Sequence, residues 1–233
     1  MADTQDLVLV PGLVCDFEIW RHQLDHLDDV AEIFVPNVST GETMEEMARI
    51  VLDEAPDQFA LAGFSMGGYV AFEMLRQAPG RITRLAVLDT SAGVDTPEKT
   101  SNRKETIAAC ERGDYDQIIE NMLAILLHPD HQREPFVSFV KSMAARVGAD
   151  VFALRHRAML TRADSRDLLK ATNIPVRAIC GRQDAMSPVE AHEEIAELAT
   201  KGRFSIIEQC GHMTILERPQ AATALLRDWL IYD

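Results

Sequence analysis

The chain has 233 residues, 47% hydrophobic and 26% charged, with a net charge of −14 from 23 Lys+Arg against 37 Asp+Glu. That length and balance suit one large domain or two small ones and exclude a disordered chain. The acidic surplus speaks against nucleic acid, which requires clustered positive charge, and no apolar run reaches the roughly 20 residues that span a bilayer.

Met1 to Asp6 are polar and acidic, without the basic start and apolar stretch of a secretory leader, so a cytoplasmic protein is expected. The first strand is expected at Leu7–Val10. Phe17, Trp20, Leu24 and Leu27 then recur at helical spacing behind Asp16, an N-cap. A second strand follows at Ala31–Val35. Thr43-Met44-Glu45-Glu46 reads as a capping box, and Met44, Met47, Ala48, Val51 and Leu52 form one helical stripe behind it. Strands at Phe59–Phe64 and Arg84–Asp89 flank a helix through Tyr69, Val70, Phe72 and Leu75. Short apolar strands alternating with helices predict an α/β fold, with a mainly parallel six-stranded sheet flanked by helices.

From about Val94 to Thr172 the alternation stops and the pattern is helical throughout, with stripes at Ile118, Met122, Ile125 and Leu126, then at Val151, Leu154, Ala158 and Met159. Residues 98–170 hold 12 Lys+Arg against 11 Asp+Glu, which leaves −15 on the rest of the chain. Asn173-Ile174-Pro175 returns the chain to extended structure, because proline disfavours helix before it. Strands at Val176–Cys180 and Arg203–Glu208 follow, then a helix from Pro219 with Ala222, Leu225, Leu226, Trp229 and Leu230 on one face. Residues 1–94 and 172–233 are thus expected to form the α/β core. Residues 95–171 are expected to form an all-helical cap above the strand ends, where parallel sheets place ligands.

The strongest chemical signal is Gly63-Phe64-Ser65-Met66-Gly67-Gly68 between a buried strand and a helix. So sharp a turn throws Ser65 out at the strand end, and a side chain at Gly63 or Gly67 would collide across it. The helix behind it offers free N–H groups to developing negative charge. A serine hydroxyl needs a base to become nucleophilic. Among the seven histidines, His22 and His26 read as solvated helix residues. His128 and His131 form an H-x-x-H without further metal ligands; His156 and His192 lie within helices. His212, in the loop Gln209-Cys210-Gly211-His212 after the last strand, is placed to reach Ser65. A carboxylate must orient it, and Asp184, in the loop beside the strand that carries His212, is preferred over Asp89. Cys15, Cys110, Cys180 and Cys210 form no C-x-x-C pair and read as free, buried thiols, with Cys15 and Cys210 beside the site loops.

With Pro11-Gly12-Leu13 after the first strand, the Ser65 elbow, Gly181…Asp184, Gly211-His212 and Glu217-Arg218-Pro219, the chain resembles the α/β-hydrolase superfamily along essentially its whole length. The resemblance implies an oxyanion hole from the backbone N–H groups of Leu13 and Met66. Pro11 stands where many relatives have histidine, and with the first strand expected at Leu7–Val10 the resemblance implies a six-stranded sheet trimmed of the two antiparallel strands common at the family's N-terminus.

The reading is a cofactor-independent serine hydrolase of a small ester or lactone, with catalytic Ser65, Asp184 and His212 and no metal. Its expected partner is a small molecule, with no nucleic acid and no membrane, in a monomer or homodimer. Carbon–carbon hydrolysis of a diketone-like acid is the alternative. It would suit a cap arginine from the group Arg155, Arg157, Arg162 and Arg166, which otherwise read as solvated. A hydrolase-fold binding protein without turnover is the reading from another class. A histidine base predicts activity falling below about pH 6.5, the unperturbed imidazole value.

Overall fold

Chains whose strands are apolar along their whole length bury both faces of a sheet, and this one does so. The computed structural model describes residues 5–233, so the reading of Met1–Thr4 lies outside the described residues. Six strands, β1 (Gln5–Val10), β2 (Ala31–Phe34), β3 (Phe59–Phe64), β4 (Ile82–Leu88), β5 (Val176–Gly181) and β6 (Gly202–Ile207), run parallel in the order β2-β1-β3-β4-β5-β6. Every residue of β3 and β5 is buried.

The helices of the core are α1 (Arg21–His26), α2 (Met44–Glu54), α3 (Met66–Gln77), α8 (Val189–Leu198), α9 (Thr214–Glu217) and α10 (Pro219–Tyr232). Right-handed crossovers put α2, α3 and α8 on one face of the sheet and α1, with α10 packed on it, on the other. The direction of winding reverses at β1, which lies between β2 and β3. The carboxyl ends of β1 and β3 therefore open a crevice at the switch point.

Between β4 and β5 stand α4 (Pro97–Glu111), α5 (Tyr115–Leu126), a 3-10 turn at Pro129–His131, α6 (Phe136–Met159) and α7 (Arg166–Ala171). The first three of these α-helices pack on one another, and α7 packs against α8 before the chain enters β5. Gly148, at φ 73°, breaks the helical path of α6. Among the described residues no helix is long and apolar enough to cross a membrane.

Local differences from the sequence reading have physical causes. The segment behind Asp16 begins as a 3-10 turn, Phe17–Trp20, and Phe17 is half exposed while Trp20 is buried. Thr43 accepts from Glu46 N–H at 3.1 Å, but the returning carboxylate of Glu46 accepts from Glu42 N–H at 2.9 Å, one residue before the cap. On α5 Ile119, Leu123 and Leu126 are buried, and the expected stripe of Ile118, Met122, Ile125 and Leu126 lines a cavity.

At the crevice the backbones touch. A Cβ on Gly67 would stand 2.2 Å from Val10 O, and one on Gly63 would stand 2.3 Å from Gly67 O. No rotamer relieves such overlaps, so Gly67→Ala is expected to destabilise the fold by about 3 kcal/mol. The measure is the urea midpoint; an unmoved midpoint would contradict the close approach.

Candidate active site

Ser65 separates β3 from α3 with φ 54° and ψ −113°, a backbone that non-glycine residues hold only where the surroundings enforce it. The enforcement comes from three hydrogen bonds. Ser65 N–H donates to Leu88 O at 2.8 Å, while Ser65 O accepts from Gly68 N–H at 2.9 Å and from Thr90 Oγ1 at 2.8 Å. Thr90 is itself fixed by donating its N–H to Nε2 of buried His192 at 2.9 Å. Nδ1 of His192 lies 3.1 Å from Pro188 O, which assigns the proton to Nδ1. Burial lowers the His192 pKa to about 4 and keeps the ring neutral.

The loop after β6 brings His212 Nε2 to 2.8 Å from Ser65 Oγ. Its Nδ1 lies 2.9 and 3.0 Å from the two carboxylate oxygens of Asp184. Asp184 also accepts from Met186 N–H at 2.8 Å and Ser187 N–H at 2.9 Å. The structure thus brings together Ser65, Asp184 and His212 in one hydrogen-bonded row. Asp89, the rival carboxylate, points elsewhere: it accepts from Gly181 N–H at 3.2 Å and from Thr214 N–H at 3.1 Å and Oγ1 at 2.5 Å.

The two carboxylates are driven apart electrostatically. Burial and the Asp184 charge push Asp89 well above the usual carboxylate range. Burial also opposes charge on Asp184, but His212 and the two N–H donors outweigh it and hold its pKa below normal. For His212 burial disfavours the cation, yet the Asp184 charge and hydrogen bond, helped by Asp89 and Tyr69, raise its pKa to about 9. Two carboxyl groups with opposite shifts beside one imidazole assign the negative charge to Asp184.

The loop after β1 is held from the insertion. Arg155 of α6, 3% exposed, donates through Nη1 to the carbonyls of Leu13 (2.6 Å), Cys15 (3.0 Å) and Gly12 (3.3 Å), and through Nε to Val38 O at 3.1 Å. A trans peptide points its N–H away from its C=O, so anchoring Gly12 O fixes the direction of Leu13 N–H. Burial lowers the Arg155 pKa to about 10, which leaves it charged near neutrality. Met66, the other expected donor, is the first residue of α3, where helix N–H groups have no partner within the helix.

A second clasp holds the His212 loop. Buried Glu217 accepts from Gly211 N–H at 3.0 Å, Met213 N–H at 3.2 Å and His128 N–H at 2.8 Å, and lies 2.7 Å from His131 Nδ1. His212 N–H also donates to Leu126 O at 3.0 Å, tying the loop to α5. Of the H-x-x-H pair, His131 thus meets Glu217 through its ring and His128 through its backbone N–H, while the His128 ring accepts from Asp130 N–H; among the described residues no group of His, Cys, Asp or Glu is placed to hold a metal ion.

A cavity of about 450 Å³ opens over Ser65 and His212, walled by the loop after β1 and by α4, α5 and α6. Cys15 lines it with a thiol pushed up to about 12 by burial, whereas Cys210 is buried away from the lining. All four cysteines are buried and free.

Several solvated readings are corrected. His22 is half-buried with Nδ1 2.8 Å from Thr223 Oγ1, because α10 covers that side of α1. Arg155 and Arg162 are buried, the first on carbonyls and the second on Asp95 at 3.0 Å. Arg157 and Arg166 are exposed, paired with Glu111 and Asp164. None of these four arginines lines the cavity. The positioning roles of Arg155, Glu217 and His192 escaped the sequence reading, since their partners are backbone atoms far away in the chain and leave no spacing to read.

A family model described as alpha/beta hydrolase fold matches residues 39–219. A pimeloyl-[acyl-carrier protein] methyl ester esterase from Aromatoleum aromaticum is 25% identical, over 96% of this chain and 97% of that one. One of the same name from Methylococcus capsulatus is 27% identical over 97% and 94%. Among solved structures, a thermophilic esterase from Thermogutta terrifontis with malate bound superposes with TM-score 0.88 at 30% identity, covering 97% of this chain and 90% of that one. The enol-lactonase of Burkholderia xenovorans LB400 shares the fold, with TM-score 0.87 at 20% identity over 98% and 92%.

The Arg155 anchor makes a local prediction. Arg155→Met keeps the aliphatic bulk and removes the donors, so amide hydrogen exchange across residues 12–15 should accelerate about tenfold in a protein that still folds. Mass spectrometry reads this directly, and unchanged exchange would mean that the loop holds its shape without the guanidinium.

Proposed function

The chain belongs to the alpha/beta hydrolase family and is a carboxylic ester hydrolase of that fold; on that premise we propose that it cleaves a small ester or lactone through an acyl-enzyme on Ser65. The observation that carries the reading is the row Ser65 Oγ, His212 and Asp184, with contacts of 2.8 Å and 2.9 Å at a strained elbow above an open cavity.

In this reading His212 Nε2 takes the Ser65 proton as Oγ bonds to the ester carbonyl carbon, and Asp184 stabilises the resulting imidazolium. The N–H groups of Leu13 and Met66 receive the oxyanion, each such donor being worth about 10² to 10³ in rate. As the tetrahedral intermediate collapses, the carbon–oxygen bond to the alcohol breaks and His212 returns the proton to the leaving oxygen. Water, deprotonated by the same imidazole, then cleaves the acyl-enzyme and frees Ser65. Residues 95–171 act as the cap that closes the acyl site.

The names of the relatives agree with an ester substrate, a methyl ester of an acyl chain in one group and a lactone in another. Carbon–carbon hydrolysis would use the same three side chains; Arg155, Arg157, Arg162 and Arg166 do not line the cavity, although Arg103 of the same insertion does. Ester hydrolysis is the reading kept because the relatives are named as esterases.

The proposal is tested with a fluorophosphonate probe, which should label the native protein and not Ser65→Ala. Asp184→Asn should lower kcat by about 10⁴, as loss of the orienting carboxylate does elsewhere. Asp89→Asn should cost far less, and the reverse order would reassign the acid.

The pH profile follows from the His212 shift. Below its pKa the imidazole already holds a proton and cannot accept that of Ser65, so kcat/KM rises as pH rises through that value. Because the pKa is raised to about 9, the midpoint for p-nitrophenyl acetate should lie well above the 6.5 expected from the sequence alone, about the free imidazole value. A midpoint at or below that value would contradict the Asp184 pairing.

A further inference from the structure

The cavity over Ser65 has two chemically different walls. Along α5 it is apolar, with Ile118, Met122 and Ile125; along α4 it presents Lys99, Asn102, Arg103 and Thr106. Those four positions share one face of a helix, so a polar stripe looks into the site. Lys99 and Arg103 are cations, and no Asp or Glu lines the cavity among the described residues, in a chain with 37 acidic residues against 23 Lys+Arg.

The Arg103 charge is only half matched. Its Nε and Nη2 donate to Asp95 at 2.5 and 3.2 Å, while Nη1 meets only the weak acceptor Met159 Sδ at 3.3 Å. Asp95 is shared with Arg162 at 3.0 Å, so two guanidinium groups face one carboxylate. Nε and Nη1 of Arg162 have no hydrogen-bond partner, and its guanidinium lies 3.9 Å over the Tyr69 ring. Uncompensated positive charge in so enclosed a cluster is unfavourable until an anion joins it.

His156 adds a second, independent mark. It lines the same cavity, is 6% exposed, and neither ring nitrogen has a partner. Burial and the nearby Arg103 lower its pKa to about 3, so it is neutral and offers one donor and one acceptor. Buried polar groups left unpaired destabilise a fold, and two of them on one residue that lines a cavity mark a place where ligand atoms would relieve the deficit.

We infer that Lys99, Arg103 and His156 form a second subsite that binds a negatively charged group on the substrate, so that the preferred ester carries a carboxylate remote from the bond cleaved, as in a half-ester of a dicarboxylic acid. This rests on the ester-hydrolase reading and names its substrate class. Arg103 Nη1 and the Lys99 ammonium meet the anion, and His156 donates to or accepts from its oxygen atoms. The α5 wall packs the methylenes between the two ends.

The test separates binding from turnover. Ser65→Ala protein is titrated calorimetrically with the monomethyl half-esters of succinate, glutarate and adipate and with the matching neutral ester-amides. At one chain length the half-ester should bind about tenfold more tightly than its amide, the worth of one charge-assisted hydrogen bond. In the same background Lys99→Glu, at an exposed position that leaves folding intact, and Arg103→Met should each reduce that ratio about fivefold or more. Native kcat/KM should show the same preference. Equal binding of charged and neutral partners at every length, or a preference untouched by both variants, overturns the subsite whatever esters the enzyme hydrolyses. Charge-selective binding without any Ser65-dependent hydrolysis would instead keep the subsite and remove the ester-hydrolase reading.

Discussion

Val10 O and the α carbon of Gly67 approach so closely that no side chain fits between them, and the geometry of the site follows from that contact. It pins the carboxyl end of β1 against the first turn of α3. The chain leaving β3 must therefore turn within a single residue, and Ser65 takes up the strained φ that results. The same approach puts the loop after β1 beside the serine. A hydroxyl and the loop of Leu13 come to share one crevice because the end of β1 and the start of α3 touch.

Around that contact the protein orders its polar groups in rows that end on backbone. Ser65 O is held by Thr90, Thr90 N–H by His192, and His192 by Pro188 O. The loop of His212 is held by Glu217 and by Leu126 O. Within these rows each buried acceptor meets donors, as burial requires. Unpaired buried polar atoms remain at Trp20, Gln23, Arg84, Trp229 and Asp233 as well as at Arg162 and His156. Of these residues His156 is the one that lines the cavity, where it stands beside Arg103.

How much of this was legible beforehand depends on the kind of constraint. Strand and helix positions were readable because burial imposes a period on neighbouring residues; all six strands were placed within about two residues of their observed ends, the usual uncertainty of such boundaries. Ser65, Asp184 and His212 were readable because each sits in a loop whose glycines permit close approach at a strand end, and Gly63, Gly67, Gly181 and Gly211 all have backbone or buried side-chain atoms where a Cβ would go. Arg155, Glu217 and His192 were not readable. Their partners are carbonyls and N–H groups supplied by the fold, and a buried arginine in a helix has the same letter as a solvated one. The stripe of α5 was legible as apolar and lines the cavity, but what it covers was not legible, because periodicity tells that a face is covered and not by what.

The insertion joins these strands of argument at a single turn of α6. Arg155 and His156 are consecutive, and successive residues of an α-helix point about 100° apart. Arg155 reaches down to the carbonyls of Gly12, Leu13 and Cys15, while His156 faces the cavity beside Arg103. The helix that shapes the distal end of the cavity is thus the helix that sets the loop next to Ser65. Residues 98–170 carry nearly balanced charge while the remainder is strongly acidic, and the cations that face the cavity come from that insertion. An acidic core alone would repel an anionic ligand from the strand ends; a near-neutral helical layer with its cations turned inward removes that repulsion at the place where the serine waits.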